Sequence, residues 1–501
     1  MSLILSLDIG TSGGRAVIAD TAGRRVGAAA RAWRYRSDAN GFLELDTDLV
    51  WASLASASRE AVRTSLARPD AIAAVAVTSQ RTGVVFMDAK GEILSAGPNS
   101  DARGVREGIA LERQHGELVY RLAGRLPVFV YLPARLAWFR NNAPAIADRI
   151  ARALPWSDWA TWRLTGGAAA ATEPTQAAEM LAYDIHRGSW SDALCDALST
   201  PRKILPDLVR PATAVGTLTE VAAREFGLHT GTPVVPAGGD TQCAALGLGA
   251  VDPGTVAIVA GTTMPVEQVA AEPLIDPERR LWTSPHAVPG TFVLEAHCGE
   301  AGPALDWYLS LLGRPGEHGW LDEASARAQP GAGGVLSIDT GPTRMGDFPL
   351  MRTGGLLFPI PLMALGRSPE DVARAVLEGM AYGVRQAMDW LGEVGGPATD
   401  VVLCGGVAKS AAFSRILASI LGRPVRRARD SQTSGLGGCI VGAVGAGAFR
   451  SVAEAAAVMH DRGEVANPEP EWTAIYEGLY ASWVDQRARF EQTVARVSDL
   501  W

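Results

Sequence analysis

Four short stretches carry residues able to do chemistry. In LSLDIGTSGG an apolar run reaches Asp8 and passes into Gly10-Thr11-Ser12. In PAGGDTQC the acid Asp240 stands behind two glycines, and twenty-one residues later another apolar run ends in Gly261-Thr262-Thr263. In DVVLCGG a third run ends in Gly405-Gly406. A phosphoryl-transfer site needs few parts: backbone N–H and hydroxyl donors for the phosphates, a carboxylate to bind or orient Mg²⁺, and a base for the acceptor hydroxyl. Thr11, Ser12, Thr262 and Thr263 suit the donors, Asp8 suits the metal, and Asp240 suits the base, whose contribution is typically roughly 10²–10⁴ in rate. Each part alone has a plainer reading. An acid after a strand often caps a turn, and a Gly-Thr turn is often only a hairpin. Their joint presence favours the chemistry.

Competing chemistries lack their motifs. GGVAKS (405–410) misses the Gly-Lys step of a GxxxxGK[ST] phosphate loop. No GxGxxG opens a helix after a strand, which disfavours dinucleotide oxidoreduction. HExxH and CxxC are absent too, and the GTSGG of residues 10–14 lies between two strand-like runs and opens no helix, so neither a nucleophile elbow nor a zinc site is expected.

The elements that must position these residues are legible. LILSLDIG reads as a buried strand, RAVIAD and VGAAARAW as its antiparallel successors, and residues 48–67 as a helix. AIAAVAVTSQ (71–80) and GVVFMDAKGEIL (83–94) add strand-like runs, the second split by a turn at Asp88 to Gly91. The second half repeats the opening grammar: GTVAIVAG, a Thr-Thr turn, then MPVEQVA. Strand, Gly-Thr and strand thus occur twice, which suggests duplicated domains. Ser368 as N-cap, Pro369 at the first helical position, and Glu370 and Asp371 in the first turn start one helix. Phe413, Ile416, Leu417, Ile420 and Leu421 give a second its apolar face, with Gly422 suited to end it. DVVLCGG before that helix is a strand and glycine turn of the kind that lets a nucleotide approach backbone. The boundary between halves is expected near Gly247 to Asp252, dividing the chain into 1–248 and 249–501.

The bulk numbers agree with such a protein. The 501 residues are 47% hydrophobic and 20% charged, enough for more than one core. The net charge of −8, with RPVRRARD (423–430) as the richest basic tract, argues against nucleic acid or anionic membrane as partner. Cys195, Cys243, Cys298, Cys404 and Cys439 lie mostly among apolar residues, as expected of reduced, buried cysteines in a cytoplasmic protein. MSLILSLDIG lacks a basic leader region and reads as a strand, and no apolar stretch is long enough to span a bilayer.

Taken in order along nearly the whole chain, these motifs resemble the FGGY carbohydrate kinases. LSLDIGTSGGRAVIAD is similar to the family's first phosphate motif, GGDTQCAALGLG to its catalytic-aspartate segment, and VAGTT to its second phosphate motif. LEGMAYGVRQ and LCGGVAKSAAFSRILASILGRPV resemble its helix and adenosine-binding segment, and SQTSGLGGCIVGAVGAGAF the glycine-rich stretch that follows. Residues 78–104 and 156–177 are similar to its sugar-contact regions. The nearest subgroups are xylulokinase-like and autoinducer-2-kinase-like. Arg81-Thr82 stands where glycerol kinases carry Arg-Glu, and the Met-His pair of xylulokinases is absent.

The resemblance implies a two-domain α/β actin/Hsp70-like (ribonuclease H-like) ATPase fold with an interdomain cleft. It implies transfer of the γ-phosphate of ATP, with Mg²⁺, to a small sugar: a ketose such as xylulose, a related linear sugar or polyol, or an autoinducer-2-type compound. Asp240 would be the base, with Asp8 and Asp240 near the metal. Gly10, Thr11, Ser12, Gly261, Thr262 and Thr263 would hold the phosphates. Gly302 in EAGPALDW, Gly405, Gly406 and Ser410 would line the adenosine pocket. Gln80, Arg81, Asp101 and Tyr131 would face or brace the sugar, against plainer readings in which Arg81 pairs with Asp101 or another acid, Asp101 pairs with Arg103, and Tyr131 packs in the core. Trp156, Trp159 and Trp162 are expected as helix packing. Such kinases are commonly dimers, which leaves a homodimer open. Two rivals remain: an actin- or Hsp70-like ATPase, opposed by the sugar-contact segments, and a non-catalytic sugar sensor, opposed by Asp8 and Asp240. A sugar repressor of the ROK type lacks its cysteine-rich motif here.

Overall fold

The computed structural model describes residues 2–37, 42–126, 130–343, 354–360, 366 and 368–498, with side chains through Glu491. The opening apolar run becomes β1 (Leu3–Ile9), which pairs antiparallel with β2 (Gly13–Asp20), and β2 with β3 (Arg25–Ala32). Helix α1 (Thr47–Ser65) covers this meander with Val50, Trp51, Leu54 and Ala61. Asp46 starts it by accepting the Asp48 and Leu49 N–H groups. β4 (Ile72–Ser79) returns parallel to β1, and β5 (Gly216–Thr217) and β6 (Pro233–Gly239) complete a sheet of order β5-β6-β4-β1-β2-β3. β1 is buried from Ile4 to Ile9 because helices cover both faces of the sheet, so it cannot alternate polar and apolar residues.

A three-stranded sheet of Val84–Met87, Ile93–Gly97 and Arg152–Pro155 branches off after β4. The helix Trp156–Leu164 behind it buries Trp156 and Trp159 edge to face at 5.4 Å, so both rings pack in the core. A short helix, α2 (Pro174–Ala178), leads back towards β6, and α3 (Asp240–Gly247) starts where β6 stops.

The second sheet follows the same plan. β7 (Thr255–Val259) and β8 (Thr263–Ala270) form a hairpin across Gly261-Thr262. β9 (Trp282–Pro285), β10 (Phe292–Glu300), β11 (Asp400–Cys404), β12 (Val425–Arg427) and β13 (Glu464–Ala466) extend it to the order β9-β10-β8-β7-β11-β12-β13. β7 runs parallel to β11, as β1 runs parallel to β4. Among the helices of this half are α4 (Gly302–Leu311), α5 (Pro369–Gly395), α6 (Ala411–Leu421) and α7 (Thr433–Gly445). Ser368 and Asp371 close a reciprocal capping box on α5, and Gly422 ends α6 in the left-handed region.

Each half lends a helix to the other. α7 lays Cys439, Ile440 and Ala443 on Ile4, Val17, Ala74 and Ala76 of the first sheet. α3 packs Ala244, Ala245 and Leu248 beyond its end against Ala257, Val402 and Cys404 of the second. The two helices touch so closely that a Cβ on Gly437 would overlap the Cys243 carbonyl. Asp240 therefore sits at the first turn of a helix that bridges both sheets. The five cysteines are all buried. Among the described residues no helix is long and apolar enough to cross a membrane.

Candidate active site

β1, β4 and β6 run parallel, so their C-terminal ends deliver Asp8 to Ser12, Gln80-Arg81 and Gly239-Asp240 to one edge. β7 and β11 likewise deliver Gly261 to Thr263 and Gly405-Gly406 to the corresponding edge of the second sheet. The crevice outside the carboxyl ends of parallel strands is where open α/β sheets bind ligands.

Burial, and then the negative charge of Asp8, push the Asp240 carboxyl up to about 7, while Arg81 and Arg15 act the other way. A carboxyl tuned near neutrality can take a proton and release it. Asp8 accepts Arg15 Nη1 at 3.0 Å on Oδ2, while its Oδ1 is buried without a hydrogen-bond partner in the protein. Arg15 was not anticipated from the motifs. The hairpin register held the signal, since Asp8 lies directly opposite Arg15 across β1 and β2.

The turn after β1 is stiffly held. The Thr11 carbonyl accepts the Trp33 indole N–H at 3.2 Å and the Tyr35 hydroxyl, and Asn99 Nδ2 donates to Thr11 Oγ1 at 3.2 Å. Gln80 is fully buried: its Nε2 donates to the Gly10 carbonyl at 3.4 Å and its Oε1 accepts the Asn99 N–H at 2.9 Å. Gln80 thus braces the turn from behind. Ser12 is exposed.

On the second edge Thr262 and Thr263 are exposed. Gly302 N–H donates to the Gly261 carbonyl at 2.9 Å, and Ala301 N–H to the Thr262 carbonyl at 3.0 Å, so α4 starts on this turn. Gly405 adopts φ +93°, and a Cβ there would overlap the Ala260 carbonyl, so only glycine fits. Gly261 and Gly406 instead border open space. These glycines form a cradle of bare backbone suited to a nucleotide, and the orphaned Asp8 Oδ1 beside Asp240 suits a hard cation that takes its other ligands from phosphate and water. Ser410 is engaged locally: it caps α6 by accepting the Phe413 N–H at 2.9 Å and donates to Asp322.

Arg81 extends across to the second half. It forms a two-pronged pair with Glu295, at 2.9 Å on one prong, and approaches Glu267 at 3.8 Å and Glu179 at 3.9 Å. Glu267 and Glu295 lie directly opposite each other on β8 and β10. Burial works against charge on Glu295, but Arg81 overrides it and holds that carboxyl down; burial and the Glu295 charge push Glu267 up. Arg125 pairs with Glu179 at 3.0 Å and donates to the Tyr131 hydroxyl at 3.1 Å. Tyr131 is fully buried against Trp282, edge to face at 6.0 Å. Asp101 does not meet Arg81; it pairs with Arg103 at 2.7 Å and lies 3.7 Å from Arg135. Arg135 in turn donates to the Thr82 carbonyl at 3.1 Å. Thr82 has φ +62°, a strained state for a β-branched residue, and the buried arginine holds that turn and with it the neighbouring Arg81. Glu179, Glu267 and Glu295 were missed in the sequence. A lone acid inside apolar runs such as MPVEQVA and FVLEAHCG was the available sign.

Two family models match the chain: the FGGY family of carbohydrate kinases, N-terminal domain, over residues 3–247, and its C-terminal domain over residues 256–446. The chain is 29% identical to the autoinducer-2 kinase of Escherichia coli K12, covering 96% of this chain and 93% of that protein. In fold it is similar to the xylulose kinase of Rhodospirillum rubrum, with a TM-score of 0.86, 24% identity and coverage of 98% and 99%. It is likewise similar to the gluconate kinase of Lactobacillus acidophilus, with a TM-score of 0.89, 18% identity and 99% coverage of both chains.

Proposed function

The chain belongs to the FGGY family of carbohydrate kinases and shares the two-domain, actin-like α/β fold of its structural neighbours, and on that premise we propose that residues 1–248 hold the acceptor sugar and residues 249–501 the ATP. As a member of the family it is an ATP-dependent carbohydrate kinase. The position and tuning of Asp240 carry the rest of the reading: an acid at the crevice edge, pushed up to about 7, beside Asp8, Arg15 and Arg81.

Asp240 takes the proton of the acceptor hydroxyl as that oxygen attacks the γ-phosphorus. The new O–P bond forms as the bond to the bridging oxygen breaks, and its electron pair leaves on ADP. Arg15 and the donors of Gly10, Thr11, Ser12, Gly261, Thr262 and Thr263 hold the phosphates, while Gly302, Gly405 and Gly406 admit the adenosine against bare backbone. Ser410 shapes that pocket through the start of α6. Mg²⁺ bound beside Asp8 and Asp240 would neutralise the charge on the phosphate oxygens. Closure about the α3–α7 crossing keeps water from taking the phosphoryl group.

The acceptor is a neutral, linear polyhydroxy compound: a ketose or an autoinducer-2-type molecule. Glu179, Glu267 and Glu295 around Arg81 and Arg125 favour this, because they offer acceptors for hydroxyl protons and oppose the carboxylate of a sugar acid. The 29% likeness to an autoinducer-2 kinase points the same way. ADP release from Mg-ATP against a panel of ketoses, polyols, the autoinducer-2 precursor and aldonates tests it. Stimulation by a neutral linear compound is expected. Selective stimulation by an aldonate would overturn the acceptor class, and ATP turnover indifferent to every compound would restore the ATPase-machine reading.

A further inference from the structure

Asp240 follows an irregular stretch of backbone. The pairing of β6 with β4 shifts register between Pro236 and Gly238, and Gly238 takes φ +108°. Such bulges re-aim the residue that follows them. Here the peptide unit between Gly238 and Gly239 is held at both ends by side chains. The Thr78 hydroxyl, from the end of β4, donates to the Gly238 carbonyl at 2.7 Å. The Gly239 N–H donates to Thr175 Oγ1 at 2.9 Å. Carbonyl and N–H belong to one planar unit and point in opposite directions, so the two threonines grip the plane from opposite sides.

Thr175 is itself fixed. Its hydroxyl proton goes to Glu173 Oε1 at 2.6 Å, which leaves the oxygen to accept from Gly239. Glu173 caps α2 by accepting the Thr175 and Gln176 N–H groups at 3.0 and 2.8 Å. Gln176 ties the same turn to Ser79 Oγ at 2.9 Å. Thr78, Glu173 and Thr175 are almost fully buried, and a Cβ on Gly238 would come within 2.5 Å of Thr175 Oγ1. TEPTQA, expected beside the sugar, thus turns inward at these residues and grips the approach to Asp240.

We propose that Thr175, together with Thr78, is a positioning residue for phosphoryl transfer: the two hydroxyls clamp the Gly238–Gly239 peptide plane and so aim the Asp240 carboxylate at the acceptor hydroxyl. This rests on Asp240 acting as the base. A freed plane can rotate, and a misplacement of about 1 Å at a reacting group costs up to roughly 100-fold in rate.

The test compares wild type, Thr175→Val, Thr175→Ser, Asp240→Asn and the double variant Thr175→Val/Asp240→Asn. Turnover is followed with the acceptor that most stimulates ADP release, or on the slow hydrolysis of Mg-ATP if none does. Thr175→Val is expected to lower kcat by roughly 10- to 100-fold with both KM values within about threefold, and Thr175→Ser to recover most of the rate. In the Asp240→Asn background the valine should change turnover by less than about twofold, because the group it aims is already gone. Thr78→Val releases the other end of the plane and carries the test if Thr175→Val does not fold. Unchanged kcat in the valine variants, or an equal loss with and without Asp240, would overturn the clamp alone. Near-normal turnover by Asp240→Asn would overturn the base assignment and the clamp with it.

Discussion

The two Gly-Thr hairpins share one plan and divide their chemistry unevenly. Around Gly10-Thr11 the edge carries charge: Asp8, Arg15 and Arg81 all lie within electrostatic reach of Asp240. Around Gly261-Thr262 the corresponding edge is built from glycine and threonine, with Gly302, Gly405 and Gly406 joining it. Proton transfer and metal binding need ionisable groups held in a partly desolvated place. Nucleotide binding needs backbone that a ligand can touch, where any side chain would stand in the way. On the proposed function, one supersecondary unit, used twice, would serve either need according to which residues follow its parallel strands.

The largest effect should come from the charged edge. Asp240→Asn is expected to lower kcat by roughly 10²–10⁴ while ATP affinity stays within about threefold. Equal losses in rate and ATP affinity would erase the contrast between the edges. Next comes the glycine edge: Gly405→Ala forces a Cβ against the Ala260 carbonyl and should raise the ATP KM by about tenfold or more, with the sugar KM little changed. A larger change for sugar than for ATP would reverse the assignment of the halves.

Arg81→Ala separates the two roles of its residue. It should raise the sugar KM several-fold, and it leaves Glu295 buried without its two-pronged partner, at a cost of about 3–5 kcal/mol. A lowered Tm with an unchanged sugar KM would make Arg81 a brace between the halves and nothing more. The pH dependence is a gentler probe. The base must be ionised, so kcat/KM in the free enzyme should fall as pH drops through about 7. The same shift bears on stability. A carboxyl raised above its unfolded value keeps its proton in the native state while the unfolded chain has lost it, so its contribution worsens as pH rises from about 4 to about 7. Asp240→Asn should therefore raise Tm, by more at pH 8 than at pH 5. An equal gain at both values would show that Asp240 is not tuned as described.

Much of this was legible before any coordinates. The meander, both hairpins, the helix start at Ser368 and the helix end at Gly422 stand where periodicity and capping put them, because each depends on neighbours within a turn or a strand. Asp8, Asp240 and the glycine turns stood out because they occur together at the ends of apolar runs, although each alone has a plainer reading. Arg81 was expected to face the sugar or to pair with Asp101 or another acid, and the sequence did not single out which acid. Of the acids weighed, Asp101 went to Arg103, and Arg81 instead meets Glu295, 214 residues away. Ser410, expected to line the adenosine pocket, accepts the Phe413 N–H and caps α6.

The sequence alone determined the strands, the turns that interrupt them and the residues that end them, since these follow from side-chain period and backbone preference over a few residues. Only the tertiary structure decided which strand ends share an edge. That choice set Arg15 beside Asp8, gathered three glutamates around two arginines, and brought Thr78 and Thr175 to the two ends of one peptide plane. The physical reason is range. A hydrogen bond or ion pair acts over a few ångströms, and residues far apart in the chain come within that distance only after the sheets have packed.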